Sequence, residues 1–598
     1  MSDPDRPFGF CVSAADARTL ATLQFVDVLD AVAGFAATPL GAGRVRSLRP
    51  AAVARGDTRA YEAIVAEHGR VEAARRLLGG EEPWPAAPIP DLDAAIARLA
   101  IAGSRWSGPD LRGAATLLAS ARVTAGALKG AASRGTDVAA LAALAASLPA
   151  APDVEAALDR IVDEAGMVRD AASPELRRLR RQLRGAEAEL IRLLEKVMGG
   201  LESHHRVDDG SVTMRNGRWV IPVRREGRGA VGGIVHDSSA SGATVFVEPP
   251  AAVEFGNRIR ELETAEQREV DRILGAATDD LRPREAELAA ALDALVTLDS
   301  LVARARFALR YRCEPAMPGV PTAGLAIVDG RHPLLLVQGR FEVVPFSLGL
   351  DAGERTLLVS GPNTGGKTVL LKALALLSLM TQAGVPPTVG AGSTIPLFDH
   401  VFADIGDEQS IEASLSTFSG HVRNLVEIVE RATAESLVLA DELGSGTDPT
   451  EGAAIGGAVL ETLTRRGTLT VATTHLGALK DLAHEVAGVV NASLQFDERE
   501  LAPTYRLLNG VPGRSYGIHI ARRLRMPAEI VGRAEARVPE AERTAAALLE
   551  DLERRQRALE DREREAADRE ESYAARSARM AERERHVRER ERALEREA

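Results

Sequence analysis

Thr356-Leu357-Leu358-Val359-Ser360-Gly361-Pro362-Asn363-Thr364-Gly365-Gly366-Lys367-Thr368 joins an apolar run, a glycine-rich loop and a Lys-Thr pair, and Val369-Leu370-Leu371-Lys372-Ala373-Leu374 follows with helical spacing. Residues 361–368 satisfy G-x-x-x-x-G-K-[ST] between a strand and a helix, the context this motif requires. Glycines let backbone N–H groups turn inward around phosphates, and the following helix N-terminus adds its positive end. Gly361, Pro362, Asn363, Thr364, Gly365, Gly366, Lys367 and Thr368 are therefore read as an ATP-binding loop. Lys367 would reach the β- and γ-phosphates, and Thr368 would ligate Mg²⁺.

Downstream residues complete the chemistry. Ser436-Leu437-Val438-Leu439-Ala440-Asp441-Glu442 is an apolar strand ending in two carboxylates. Asp441 suits the hold on Mg²⁺, and Glu442 is placed to polarise the attacking water. His475 ends the next strand, Val471-Ala472-Thr473-Thr474-His475, where it would sense the γ-phosphate. Leu415-Ser416-Thr417-Phe418-Ser419-Gly420-His421 opens a helix with a hydroxyl residue as its cap. Ser416 thereby presents N–H groups to a phosphate brought from outside. Ser445-Gly446-Thr447-Asp448-Pro449 is a tight loop directly after Glu442, apt for a subunit contact. Strand-like runs at 356–360, 436–440 and 469–473 alternate with helical ones, which predicts an α/β domain with a largely parallel sheet over 326–538.

Upstream the texture is helical. Leu20, Leu23, Val26, Leu29 and Val32 step by three, and residues 1–173 read as a helical core to which 283–325 return. From Pro174 the apolar residues Leu176, Leu179, Leu183, Ala186, Leu190, Leu193 and Val197 form a heptad seam. A second run through Phe255, Ile259, Leu262, Val270, Ile273 and Leu281 is its antiparallel partner. Between them 219–223, 233–236 and 244–247 read as short strands. Residues 174–282 thus form either an inserted coiled-coil arm with a small β tip or a plain helical hairpin. The tip carries Arg215, Arg218, Arg224, Arg225 and Arg228, a set suited to a nucleic-acid backbone, with a solvated basic loop as the alternative on charge alone.

Composition bounds the rest. With 598 residues, 45% apolar and 27% charged, the chain is globular and large enough for several domains, which excludes collagen-like, disulfide-rich and fully disordered classes. Seventy-four basic against 86 acidic residues leave a net charge of −12, so any nucleic-acid binding needs local basic patches. Cys11 and Cys313 stand alone without zinc spacing, which suits a reducing cytoplasm. No basic-then-apolar leader begins the sequence, and the longest apolar stretch, interrupted by Lys372, is too short to span a membrane. Residues 539–598 read as a charged helix. Leu552, Leu559, Ala566, Tyr573, Met580, Val587 and Leu594 supply one apolar residue per heptad, and Arg or Glu fills the other seam position, so association through it is weak.

Taken together, the loop at 361–368, Ser416-Thr417-Phe418, Asp441-Glu442 and Thr473-Thr474-His475 resemble the ATPase domain of the MutS family, a branch of the ABC-type ATPases. Arg331-His332-Pro333 is similar to the start of that domain, and Arg514-Ser515-Tyr516-Gly517-Ile518 to its dimerising helix–turn–helix. The segments 229–237, 241–244 and 407–411 are similar to the second, mismatch-independent bacterial branch. The mismatch-repair branch has an N-terminal recognition domain with a Phe-x-Glu reader, whereas Phe246-Val247-Glu248 here falls inside the arm.

The resemblance implies a multidomain α and α/β fold: a helical core with an inserted coiled-coil arm, an ABC-type P-loop ATPase domain and a charged C-terminal helix. It implies a cytoplasmic homodimer with ATP and Mg²⁺ as cofactors. The chain would bind branched or duplex DNA and suppress homologous recombination, or split stalled ribosomes through rRNA. The sequence leaves both targets open. Longer members of this branch usually carry a C-terminal small nuclease domain, and this chain is expected to be an ATPase without endonuclease activity, either naturally short or truncated.

Overall fold

The computed structural model describes residues 12–80, 84–85, 87–361, 366–406, 417–497, 502–513 and 517–538, with individual positions between 548 and 580. It divides into two compact units. One comprises Met1–Ala36, Ala42–Leu78 and Ser300–Ala598, and the other Ala37–Gly41 and Gly79–Asp299.

The first unit is built on a six-stranded sheet. Its strands run in the order Val401–Asp404, Leu437–Ala440, Leu469–Thr474, Thr356–Ser360, Val489–Asp497, Ala502–Asn509. The first five are parallel and the last is antiparallel. Successive side chains on a strand face opposite sides, so one apolar run serves two cores. Leu357 and Val359 pack with Leu370, Leu371 and Leu374 of helix Lys367–Gln382, while Leu358 packs with Leu443, Leu460 and Leu479. Strands buried on both faces read as continuous apolar runs, which is why 356–360 and 437–440 show no alternation. Each leucine buried this completely contributes about 1.5–3 kcal/mol. A second sheet joins Met317–Gly319, Thr394–Pro396, Leu325–Gly330 and Phe346–Leu350 in that order.

The segment expected as one helical core, 1–173, contributes to both units. Helix Phe25–Ala33 buries Phe25, Val28, Leu29 and Val32 in the same core as helix Lys367–Gln382. Ala51 donates its N–H to the Gln382 carbonyl at 3.0 Å, and Gln382 Nε2 returns a bond to the Ala51 carbonyl at 2.7 Å. Helix Thr58–Leu78 carries a buried ion pair: Arg304 Nη2 lies 2.6 Å from Glu67 Oε1, both side chains being 2% exposed. Arg304 Nη1 also donates to the Gly384 carbonyl at 2.8 Å. His68 Nε2 lies 2.8 Å from the Thr381 carbonyl, and burial pushes its pKa down. These bonds join residues 80 or more positions apart in sequence, and helical periodicity in a single segment cannot announce them.

In the second unit helix Pro174–Gly199 packs along helix Pro250–Leu281. Ser173 caps the first, accepting from the Leu176 N–H at 3.0 Å, and its hydroxyl donates to Glu269 Oε1 at 2.7 Å. The buried positions are Leu176, Leu179, Ala186, Leu190 and Leu194. Leu183, Leu193 and Val197 of the expected seam are partly buried and pack against the same core. Between the helices lies a four-stranded antiparallel sheet in the order Thr213–Arg215, Arg218–Arg224, Thr244–Glu248, Ile234–Ser238.

In the C-terminal segment Leu559, Ala566, Tyr573 and Met580 are helical and exposed, whereas Leu552, Val587 and Leu594 lie outside the described residues. Among the described residues no helix is long and apolar enough to cross a membrane.

Candidate functional site

The loop starts and ends on glycines that the backbone demands. Gly361 has φ +145° and Gly366 has φ +86°, a region that only glycine enters cheaply. A Cβ on Gly366 would also stand 2.9 Å from Tyr505 Cδ1. Pro362, Asn363, Thr364 and Gly365 lie outside the described residues. Lys367 is the first residue of its helix and is 2% exposed, and its Nζ donates to the Gly361 carbonyl at 2.8 Å. Burial pushes the Lys367 pKa down. Glu442 and Asp441 pull it back up, and the positive charge of Lys480 adds to the lowering.

Asp441 follows the strand Leu437–Ala440 and is 6% exposed. Its two oxygens have separate donors: Thr368 Oγ1 gives to Oδ2 at 2.5 Å, and Thr473 Oγ1 gives to Oδ1. Its own N–H goes to the Asp404 carbonyl at 2.9 Å. The same Thr473 hydroxyl accepts from the Glu442 N–H at 2.8 Å, and the Thr473 carbonyl accepts from Leu443 N–H at 2.9 Å. Glu442 is held in the left-handed region at φ +49°. A non-glycine residue there stores about 1–3 kcal/mol, and such strain persists only where the surroundings over-determine it. Thr473 supplies that restraint.

The register explains the assembly. Thr474 pairs with Ser360 and Ala472 with Ala440, so Gly361, Asp441 and His475 emerge at the carboxyl ends of adjacent parallel strands. That edge is where open α/β sheets bind ligands. His475 is exposed there. Ser416 lies outside the described residues, but its helix, Thr417–Arg431, is present. Phe418, His421 and Leu425 from it line a small cavity with Asp404, Asp441, Glu442 and Ser445. His421 Nδ1 lies 2.8 Å from Asp404 Oδ2, and Asn424 Nδ2 donates to Asp404 Oδ1 at 2.9 Å.

One feature is absent from the sequence reading. A cavity of about 230 Å³ opens beside Gly366, lined among others by His332, Phe341, Val344, Val369 and Tyr505. Phe341 is 81% exposed and Tyr505 is 48% exposed. His332 is buried, its Nδ1 has no hydrogen-bond partner among the described residues, and burial, then Lys372, lowers its pKa to about 4. The cavity's lining comes from segments far apart in sequence, so no local pattern points to it.

The arginines of the β tip are not equivalent. Arg218 turns inward: its Nη1 lies 3.4 Å from Glu248 Oε1, its Nη2 donates to Asn257 Oδ1 at 3.2 Å, and its side chain is 16% exposed. This corrects its assignment to a nucleic-acid surface, because a buried carboxylate claims the guanidinium. The same Glu248 lies 2.7 Å from His236 Nε2, so Phe246-Val247-Glu248 is part of the internal packing. Arg215 lies 3.4 Å from Asp237 and stacks over Phe246 at 4.6 Å. Arg224 pairs with Asp208 at 3.0 Å. Arg225 and Arg228 are exposed.

Residues 357–542 match the family model described as MutS domain V. The chain is 58% identical to "Endonuclease MutS2" of Gemmatimonas aurantiaca over 544 residues, 91% of this chain and 65% of that protein. To the protein of the same name from Geobacillus kaustophilus it is 41% identical over 538 residues, 90% of this chain and 67% of the relative. This chain belongs to the MutS2 branch of the MutS family. The protein so named from Halalkalibacterium halodurans is 47% identical over 405 residues, 68% of this chain and 51% of the relative. The chain therefore spans less than two thirds of the length of some MutS2 relatives and about two thirds of others. The match to domain V covers the whole phosphate loop, Asp441, Glu442, Thr473 and His475.

Proposed function

We propose that this chain is the ATP-hydrolysing, DNA-binding part of a MutS2-type protein. The bridge Thr368–Asp441–Thr473, with Lys367 held over Gly361, supports this reading most directly. The hydroxyl of Thr368 and the carboxylate of Asp441 are hard oxygen donors already 2.5 Å apart, a donor set that fits Mg²⁺. When bound, the ion would neutralise charge on the β- and γ-phosphates. Lys367 would supply the main fixed counter-charge. Glu442, strained and pinned by Thr473, would orient the attacking water, and His475 would face the γ-phosphate. The pocket of His332, Phe341 and Tyr505 has the apolar walls that suit the nucleobase.

In this ABC-type arrangement the helix start at Ser416 would complete the partner's site in a homodimer. Residues 174–282 would act as a coiled-coil arm, with Arg225 and Arg228 on the phosphate backbone of branched DNA. Strand cleavage is not assigned to these residues, because Asp441 and Glu442 are committed to the nucleotide. The test is Glu442→Gln. It should bind ATP at wild-type affinity while turnover falls by about 10²- to 10⁴-fold. Hydrolysis at the wild-type rate would overturn the assignment of Glu442. Binding is compared on a four-way junction, plain duplex and rRNA. Tightest binding to rRNA would replace DNA as the target.

A further inference from the structure

Two ammonium groups are anchored about the start of the phosphate loop, one on Gly361 and one on Gly513, and the family motif accounts for the first. The second belongs to Lys480, the last residue of the short helix Gly477–Lys480. Its Nζ donates to the Gly513 carbonyl at 2.7 Å. The Gly513 N–H donates to Ser360 Oγ at 2.7 Å, and a Cβ on Gly513 would stand 2.8 Å from Ser360 C and 3.0 Å from Gly361 N. Lys480 therefore holds the carbonyl of the glycine that packs on the residue opening the phosphate loop. Its backbone is fixed as well, since its carbonyl accepts from Asn491 Nδ2 at 2.8 Å.

The environment of this ammonium is short of negative charge. Lys480 forms no ion pair with a carboxylate among the described residues, and its recorded acceptor is a neutral carbonyl. Burial holds its pKa below the ordinary lysine value, opposed by Asp481, and its charge is felt by Lys367. Ser493, paired with Ser360 in the sheet register, is 2% exposed, and its hydroxyl lacks a partner among the described residues. A half-buried cation whose acceptor is a neutral carbonyl is stabilised when an anion arrives.

We propose that Lys480 is a second phosphate-binding cation, which takes the terminal phosphate of a bound nucleoside triphosphate and so distinguishes triphosphate from diphosphate. The proposal rests on the ATP reading of the site and names the residue that selects the nucleotide state. Lys367 would reach the β-phosphate, which both nucleotides carry, as well as the γ-phosphate, whereas Lys480 would exchange the Gly513 carbonyl for an oxygen that only the triphosphate offers.

The experiment measures the affinities of the full chain for a non-hydrolysable ATP analogue and for ADP, both with Mg²⁺. Lys480→Met should raise the Kd of the triphosphate analogue by about 10- to 100-fold, the loss of one charge-assisted contact. The Kd for ADP should move by less than about threefold, and Lys480→Arg should recover most of the triphosphate affinity. Lys480→Gln, which keeps a donor, serves if Lys480→Met fails to fold, and a thermal melt without nucleotide checks each variant. A purely structural lysine would change both affinities alike or neither, and that result overturns the proposal while leaving the ATP reading intact. Failure of the wild-type chain to bind either nucleotide would overturn both.

Discussion

Replacing Thr473 by valine removes one hydroxyl and almost no volume, in a strand where valine is well tolerated. That hydroxyl donates to Asp441 and accepts from Glu442 N–H. Losing a bond to a charged group costs about 1.5–3 kcal/mol, and leaving the Glu442 N–H without its acceptor costs about 1–3 kcal/mol more. Because both bonds share one atom they do not add fully, and about 3 kcal/mol is expected in all. A unit of this size would melt about 4–5 °C lower.

The functional effect is separable. Without the Thr473 anchor, Glu442 relaxes from φ +49° and recovers its strain. If about 2.7 kcal/mol of transition-state positioning is lost, turnover falls about 100-fold, since each 1.36 kcal/mol is tenfold. Nucleotide affinity, set by Lys367 and the loop, should change by less than about threefold. Phosphate release at saturating ATP reports the first quantity, and equilibrium titration with a fluorescent nucleotide reports the second. Thr473→Ser keeps the hydroxyl and should retain most activity. A Thr473→Val protein that melts lower yet turns over within about threefold of wild type would refute the reasoning, because the hydroxyl would then be a packing element alone.

Four further outcomes are expected. Mixing Lys367→Ala subunits with Ser416→Arg subunits should restore ATPase through dimers with one intact composite site, and mixed dimers without activity would exclude shared sites. Replacing Arg225 and Arg228 by alanine should weaken DNA binding and lower the slope of log K against log salt by about 0.9 per lost phosphate contact, measured by anisotropy from low to moderate salt. His332 has a folded pKa of about 4, below its unfolded value. The unfolded chain therefore binds more protons between about pH 6.5 and 4, and stability falls as pH drops through that window. His332→Gln should remove about 3 kcal/mol of that acid sensitivity, read from denaturant melts at pH 7 and pH 4. Pure protein incubated with supercoiled plasmid and Mg²⁺ or Mn²⁺ should leave it intact, and nicking that persists in Glu442→Gln would reveal a second catalytic centre.

What could be read from sequence divides along a physical line. The phosphate loop, Asp441 and Glu442 were legible because local chain geometry and local chemistry coincide: a glycine turn, a helix start and a strand end each act over a few residues. The tip strands were legible as short β-branched and aromatic runs between glycine-rich turns. The cavity was not, since His332, Phe341 and Tyr505 meet only when Ala502–Asn509 pairs antiparallel with Val489–Asp497. The inward turn of Arg218 was hidden for the same reason. Its partner Glu248 sits 30 residues away, on the strand Thr244–Glu248 that pairs with its own. Thr473 was quoted as part of a motif without a role, because a hydroxyl that bridges two neighbours is visible only in three dimensions.

The buried pair of Glu67 and Arg304 bears on where this gene can be cut. A fragment cloned from residue 326 onward keeps the nucleotide motifs and loses the helix whose Phe25, Val28, Leu29 and Val32 fill the core beside Leu371 and Leu374. Starting instead at residue 300 retains Arg304 without Glu67, and an ion buried to 2% exposure and stripped of its counter-ion destabilises by about 3–5 kcal/mol. Gly384 tightens the constraint, since at φ +67° a Cβ there would stand 2.7 Å from Glu67 Cγ. The smallest fragment that keeps this core whole is consequently a two-segment object, whose first segment lies more than 200 residues before its second. Deletion series that trim from the N-terminus should lose solubility in one step rather than gradually, and complementation by two co-expressed pieces is the route to a minimal enzyme.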